Sequence, residues 1–174
     1  QNITVSFRPV ADQAYTGNIT VNSTATAGVS AIVTSGSGAH SRIMGLTGNL
    51  SFGSLTVNQT ANRTLSIRNS GTGSLTVSGI SYPAGFSGSW SGGTIAPGAT
   101  QNVTVRFRPL AEQAYSGNIT VSSTATSGTS AISTSGSGAH TRIIGLTGNL
   151  SFGTLTINAT ANRTLSIRNS GTGN

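Results

Sequence analysis

A tandem repeat constrains this chain more than any other feature of its sequence. Residues 1–74 align without a gap with residues 101–174, and 59 of these 74 paired positions carry the same amino acid. The period is therefore 100 residues, which is the usual size of one β-sandwich domain. We predict one complete unit at residues 45–144. Residues 1–44 then supply the last three strands of a preceding unit, and residues 145–174 supply the first two strands of the next.

Apolar and polar residues alternate along short segments of the repeat, as in Ile3, Val5 and Phe7. A period of two is typical of strands with one buried face, and Gly, Pro and Asn residues punctuate the segments as turns. The pattern predicts an antiparallel β-sandwich. In the complete unit, strands are predicted at residues 50–57, 61–69, 75–81, 86–90, 101–107, 115–123 and 129–135, and in the first partial unit at residues 1–7, 15–23 and 29–35.

The inward-facing positions of these strands predict the hydrophobic core. Tyr15 follows a corner at residues 10–14, in the place where sandwiches carry a tyrosine whose hydroxyl bonds back to the corner. The predicted core comprises Leu50, Phe52, Leu65, Ile67, Leu75, Val77, Ile80, Phe86, Trp90, Ile95, Val103, Val105, Phe107, Tyr115, Ile119 and Val121.

Charged residues are few, and nearly all of them are basic. Nine arginines, no lysine and two acids give a net charge of +7, which suggests contact with anionic polymers. If the strands that carry Arg68, Arg106 and Arg108 are neighbours, each unit presents a small basic stripe, with Arg168 as the counterpart of Arg68. The alternative is that these arginines only keep a Ser/Thr-rich surface soluble. The chain has no run of adjacent basic residues, so its sequence does not indicate nucleic acid specifically.

Residue types that carry catalysis or bind metals are scarce. Asp12 and Glu112 occupy equivalent positions, so each unit owns one carboxylate, whereas carboxylate-pair catalysis and calcium sites need more. We predict that Glu112 caps a turn or pairs with Arg108. His40 and His140 have no second ligand at metal spacing, and the chain has no cysteine. We therefore expect no enzyme activity, no metal and no cofactor.

Eleven of the fourteen asparagines begin an Asn-x-Ser/Thr sequence. Such sequences accept glycans in secreted proteins. However, a strand whose outer face carries Asn and Thr produces the same pattern without glycosylation. The candidate glycosylation sites are Asn18, Asn62, Asn118 and Asn162.

The segment between consecutive units is more apolar than a solvated linker. We predict that its side chains pack between consecutive domains and make the junction stiff. The candidate junction residues are His40, Arg42, Ile43, Met44 and Leu46, repeated as His140, Arg142, Ile143, Ile144 and Leu146. Because the terminal units expose unpaired strands, we also expect the chain to continue covalently in a longer array.

Several motifs together resemble a known family. They are Leu-Ser-Phe-Gly at residues 50–53, Thr-Leu-Ser-Ile-Arg-Asn-Ser-Gly-Thr-Gly at 64–73, Ile-Ala-Pro-Gly at 95–98 and Tyr-Ser-Gly-Asn-Ile-Thr-Val at 115–121. These are similar to the ASH/Hydin-type immunoglobulin-like domain, of the kind found in tandem in bacterial choice-of-anchor surface proteins. The resemblance covers the whole chain. It implies tandem immunoglobulin-like antiparallel β-sandwich domains with about seven strands per repeat, used as spacers or docking modules, without shared catalytic residues.

Two functions remain in contention. The first is a structural repeat module of an extracellular filament, stalk or sheath, whose partners are neighbouring repeats. The second is an adhesin that recognises glycans or anionic polymers at the cell surface. The near-identity of the copies favours the first, because ligand specificity requires loops that differ in one domain. We expect an extracellular or cell-surface protein of bacterial type. No apolar run reaches the roughly 20 residues that span a bilayer.

Overall fold

The computed structural model describes residues 1–174 and is all-β, which confirms the predicted fold class. One unit is complete, a β-sandwich that begins at Ile43 and ends at Ala139. No helix in the structure is long and apolar enough to cross a membrane. The strands are β1 (Ala14–Thr20), β2 (Ala31–Ser37), β3 (Ile43–Thr47), β4 (Ser51–Thr56), β5 (Ala61–Asn69), β6 (Leu75–Ser81), β7 (Phe86–Gly88), β8 (Gly93–Ile95), β9 (Thr100–Phe107), β10 (Ala114–Ser123), β11 (Ser127–Gly128), β12 (Ala131–Ala139), β13 (Ile144–Thr147) and β14 (Ser166–Asn169).

Two five-stranded sheets form the sandwich. One has the order β4-β12-β10-β6-β8 and the other β11-β3-β5-β9-β7. Most neighbouring strands are antiparallel, but β4 is parallel to β12, and β11 is parallel to β3. The chain crosses between the sheets after β3, and β4 therefore joins the opposite sheet at its edge. The sandwich thus departs from a purely antiparallel arrangement at two edge strands.

Apolar side chains from both sheets fill the space between them. Fourteen of the sixteen predicted core residues are buried, whereas Ile80 and Trp90 are only partly buried and pack against the cluster from its margin. Met44, which the sequence assigned to a junction, is 2% exposed and belongs to the core. At one end of the core, the Phe107 ring contacts the rings of Phe52, Phe86 and Tyr115.

The predicted tyrosine corner is confirmed in both copies of the repeat where it occurs. The hydroxyl oxygen of Tyr115 accepts hydrogen bonds from the backbone N–H groups of Leu110, at 3.0 Å, and Ala111, at 2.9 Å. Tyr15 makes the same two bonds with its own corner loop. Each tyrosine therefore holds the loop between β9 and β10, or its counterpart, against the end of a sheet.

The partial units at the two ends form only two-stranded sheets, β1 with β2 and β13 with β14. Residues 1–7 were predicted to be a strand but are not one in the structure. Their counterpart β9 hydrogen-bonds to β5 and β7, and residues 1–7 have no such neighbours in this chain. Residues 151–156 likewise form no strand. Their counterpart β4 pairs with β12, and the partial unit contains no equivalent of β12. A strand exists only where a partner completes its hydrogen-bond ladder.

Candidate functional site

The chain enters the complete sandwich at one end and leaves it at the other. Where the chain enters, Met44 of β3 lies opposite Asn69 at the end of β5. At the other end of β5, Ala61 pairs with Phe107, and β12 finishes at Ala139. The nine residues of β5 separate these ends by about 30 Å, at roughly 3.4 Å per residue. The start and the end of the unit therefore lie at opposite ends of the sandwich.

A short connector, residues 38–42 and its copy 138–142, links each pair of units. It hydrogen-bonds to a turn of the following unit: the N–H of Ser41 donates to Oγ1 of Thr72 at 3.1 Å, and the N–H of Thr72 donates to Oγ of Ser41 at 3.2 Å. Thr141 makes both bonds with Thr172 at the second junction, at 3.0 and 3.2 Å. The exchange of Ser41 for threonine in the second copy therefore preserves a reciprocal contact.

The connector is also bound to the unit that precedes it. The N–H of Gly38 donates to the carbonyl of Gln13 at 2.9 Å, and Gly138 repeats the bond with Gln113. A Cβ atom placed on Gly38 would overlap the carbonyl oxygen of Ala11, so the close approach requires glycine. Both faces of the connector are therefore occupied, and the same contacts recur at both junctions.

The two carboxylates of the chain are both engaged at these junctions. Glu112 forms a two-point ion pair with Arg142, with N–O distances of 2.6 and 3.1 Å. Of the two predicted roles, the pairing with Arg108 is wrong, because Glu112 pairs with Arg142 and the Arg108 guanidinium donates to Asn58 at 3.4 Å. Asp12 has a shorter side chain and lies 3.4 Å from Nδ1 of His40. Asp12 and Glu112 thus occupy equivalent positions of the repeat but contact different residues.

The ion pair with Arg142 changes the pKa of the Glu112 carboxyl. The hydrogen bond from Arg142 lowers the pKa of the Glu112 carboxyl below its ordinary value. A lowered carboxyl pKa means that the contact is fully present above the ordinary glutamate range and is lost as the pH falls through the folded-state pKa. We expect an NMR titration of the carboxyl carbon to show this, and the pKa to rise toward its ordinary range in Arg142→Gln. An unchanged midpoint in that variant would contradict the pairing.

The apolar junction residues have a different place from the one predicted. Met44 and Leu46 lie in β3 opposite residues of β5. Met44 belongs to the core and Leu46 packs against it, so these two side chains do not pack between domains. Ile43, the first residue of β3, lies opposite Ser127 of β11. Their copies Ile143, Ile144 and Leu146 are exposed, because the partial unit has no second sheet to cover them. The polar residues of the connector make the junction contacts instead, through Ser41, its copy Thr141, His40 and Arg142.

Asn69 is a buried polar residue whose role the sequence did not reveal. It is 0% exposed. Its Nδ2 donates to the carbonyls of Gly73, at 2.8 Å, and Ile95, at 3.0 Å, and its Oδ1 accepts from Gly71 at 3.0 Å. These bonds order the turn that receives the connector. One available signal was that Asn69 lies in a turn sequence outside the Asn-x-Ser/Thr pattern, with an identical copy at Asn169.

The sequence model of the HYDIN/CFA65/VesB-like Ig-like domain matches residues 43–137, which begin at β3 and end within β12. The match covers more than half of the chain. The chain belongs to this family. The resemblance to ASH/Hydin-type domains is thereby confirmed, and the Ig-like domain is established as a β-sandwich module. A comparison with curated protein sequences finds no match.

Solved structures similar to this Ig-like chain share little sequence with it. PapD-like domain 7 of human CEP192, an ASH/PapD-like domain, is 17% identical with a TM-score of 0.40, over 53% of this chain and 82% of that one. A Porphyromonas gingivalis W83 protein of unknown function is 15% identical with a TM-score of 0.43, over 75% and 68%. WR4, a C. elegans MSP family member, is 9% identical with a TM-score of 0.39, over 56% and 98%.

The candidate basic residues of the Ig-like domain do not form one stripe. Arg68 lies opposite Thr100 and Arg106 lies opposite Asn62 in the β5–β9 ladder. Six residues along β5 therefore separate the two arginines, which is about 20 Å. Arg108 follows the end of β9, near Arg106, and Arg168 is exposed on β14 of the partial unit. The structure thus brings Arg106 and Arg108 together and leaves Arg68 and Arg168 apart from them.

The candidate glycosylation sites Asn18, Asn62, Asn118 and Asn162 are all exposed. Asn62 and Asn118 lie on the outer faces of opposite sheets, in β5 and β10 respectively. This exposure agrees equally with glycosylation and with a polar outer face, so modification stays a prediction. No three residues of the types His, Cys, Asp and Glu lie close enough together to hold a metal ion.

Proposed function

We propose that the chain is a structural repeat module of an extracellular filament, stalk or sheath built from stiffly joined β-sandwich domains. Its partners in this proposal are neighbouring repeats of the same protein. Its location outside a bacterial cell and its lack of enzyme activity belong to the same proposal. Both carboxylates already have partners at the junctions, which supports a mechanical rather than a catalytic use of them.

One observation carries this proposal: the chain enters and leaves the sandwich at opposite ends, through a connector that both flanking units bind. The reciprocal bonds of Ser41 with Thr72 recur one period later in Thr141 and Thr172. A flexible linker would expose its backbone to water, whereas this one has a partner on each side. Repeating one rigid junction at a constant period generates a linear array.

The proposal predicts the shape of an array of complete units. Residues 43–142 joined in tandem should appear by electron microscopy as a thin rod with an axial repeat on the order of 35 to 45 Å, from a sandwich of about nine residues per strand plus the connector. Small-angle scattering of the same array should show a length that grows in proportion to the number of units.

The matched control replaces residues 140–142 of the connector, which follow the end of β12, with a glycine and serine sequence of equal length. This array keeps every sandwich but loses the junction bonds, so we expect a flexible string with a shorter average end-to-end distance. If the natural array is as flexible as the control, stiff joining is excluded. If both are rods of the same period, contacts other than the connector set the geometry.

A second candidate function, binding of anionic polymers at the cell surface, has one specific observation in its favour. Arg106 and Arg108 lie close together at the end of β9 in the complete unit.

A further inference from the structure

A corner of the complete unit carries two arginines on one face. On β9, the side chains of Val105 and Phe107 point into the core. Arg106 therefore points outward, and Arg108, which follows the end of β9, is exposed as well. Arg106 lies opposite Asn62 of β5 on one side and Ser87 of β7 on the other. Small polar side chains thus flank the guanidinium within the sheet.

One turn anchors both guanidinium groups. Arg106 donates through Nη2 to Oγ1 of Thr60 at 3.3 Å, and Arg108 donates through Nη2 to Oδ1 of Asn58 at 3.4 Å. Asn58 has a φ of 69°, a left-handed conformation that asparagine adopts more readily than most residues. Its N–H donates to the carbonyl of Pro109 at 2.8 Å. The turn and the arginine segment are therefore held together, and each guanidinium keeps other N–H donors for a ligand.

The positive charge of this corner is not neutralised within the chain. The two carboxylates contact His40 and Arg142 at the junctions. The corner is also particular to this unit, because position 6 of the preceding copy is serine where Arg106 stands here. Among the fifteen positions that differ between the copies, this is the only one that introduces a charge.

We propose that Arg106 and Arg108, with Asn58, Thr60 and Asn62, form a binding site for an anionic polysaccharide. Guanidinium groups bind sulfate or carboxylate groups through paired hydrogen bonds. Hydroxyl and amide side chains beside them complement sugar hydroxyls. Two charges without an exposed aromatic ring at the site provide too few phosphate contacts and no base stacking for nucleic acid.

The test measures binding of the full chain to a heparin hexasaccharide by calorimetry, at about 50 mM salt, where charged contacts are strong. Arg106→Ser introduces the residue found at position 6. It should raise Kd about tenfold, the loss expected for one charge-assisted contact. Arg68→Ser removes the same charge on the same sheet face. It should change Kd less than about twofold, because Arg68 lies beyond a Debye length from the corner.

Each outcome of the binding measurements either supports or overturns the proposed site. A larger loss for Arg106→Ser than for Arg68→Ser, a further loss for Arg106→Ser/Arg108→Ser, and no binding of a desulfated hexasaccharide would support the site. Equal losses for the two single variants would show attraction to net charge alone and overturn it. Absence of wild-type binding would overturn it as well. Tighter binding of duplex DNA or of phosphatidylserine vesicles than of the hexasaccharide would reject a polysaccharide as the ligand.

Discussion

Replacing Phe107 with alanine should lower the free energy of unfolding of the complete sandwich by about 3 to 5 kcal/mol, the range observed when a buried phenylalanine leaves a cavity. Phe107 is 0% exposed. Its ring stacks on Phe86 at a centroid distance of 4.7 Å and contacts Phe52 at 5.5 Å and Tyr115 at 5.4 Å. These rings belong to both sheets, so alanine would remove the aromatic contact that joins them at this end.

The chain provides a matched control in Phe7, which occupies the equivalent position of the preceding copy. Phe7 keeps the edge contact with its tyrosine, Tyr15, at 5.5 Å, but it is 55% exposed. Phe7→Ala should therefore cost less than about 1 kcal/mol, as for most changes away from a packed core. Urea unfolding followed by the fluorescence of Trp90, the single tryptophan, reports on the complete unit alone. Equal midpoints for the two variants would disprove the assignment of Phe107 to the core.

Asn69→Ala should be the most damaging polar substitution, with a loss of about 3 kcal/mol. The change removes three hydrogen bonds worth roughly 1 kcal/mol each from a fully buried side chain. It should also loosen the turn at residues 70–74, which binds the connector. The Ser41 amide should then exchange its hydrogen faster than in the wild type, even under conditions where the sandwich stays folded.

Asn169→Ala is the control for this effect. Asn169 holds its own turn through Gly171 and Gly173, but it is exposed and makes no third bond of the kind that Asn69 makes to Ile95. We expect the Trp90-detected midpoint to stay near that of the wild type in Asn169→Ala. A comparable fall in both variants would mean that the turn itself, rather than its burial under the sheets, stabilises the unit.

The core was largely predictable because it depends on the period of each strand. Val103, Val105 and Phe107 alternate with polar residues, and the alternation alone assigns their face. Met44 escaped prediction because it lies beside Ile43 and near a glycine, in a short apolar run that shows no alternation. Trp90 was predicted to be buried on hydrophobicity, but it follows the short edge strand β7 and is only partly buried against the core.

The partners of charged residues were less predictable, because they depend on register and on loop paths. Glu112 and Arg108 are four residues apart in sequence, yet the corner loop brings Glu112 to Arg142, thirty residues away. In the same way, the basic stripe was predicted on the condition that the strands of Arg68 and Arg106 are neighbours, which β5 and β9 are. The register of the two strands nevertheless places these arginines six residues apart, and only Arg108 stays beside Arg106.

By itself, the sequence determined the period, the all-β class and most of the buried positions, since all three are local properties repeated along the chain. The tertiary structure decided which segments become strands. Residues 1–7 and β9 are nearly identical in sequence, yet only β9 is a strand, because β5 and β7 lie on either side of it and complete its hydrogen bonds. It also decided that β3 belongs to the sandwich, and that the residues just before it form the junction. A β-strand is completed by its neighbours, and those neighbours lie far away in the sequence.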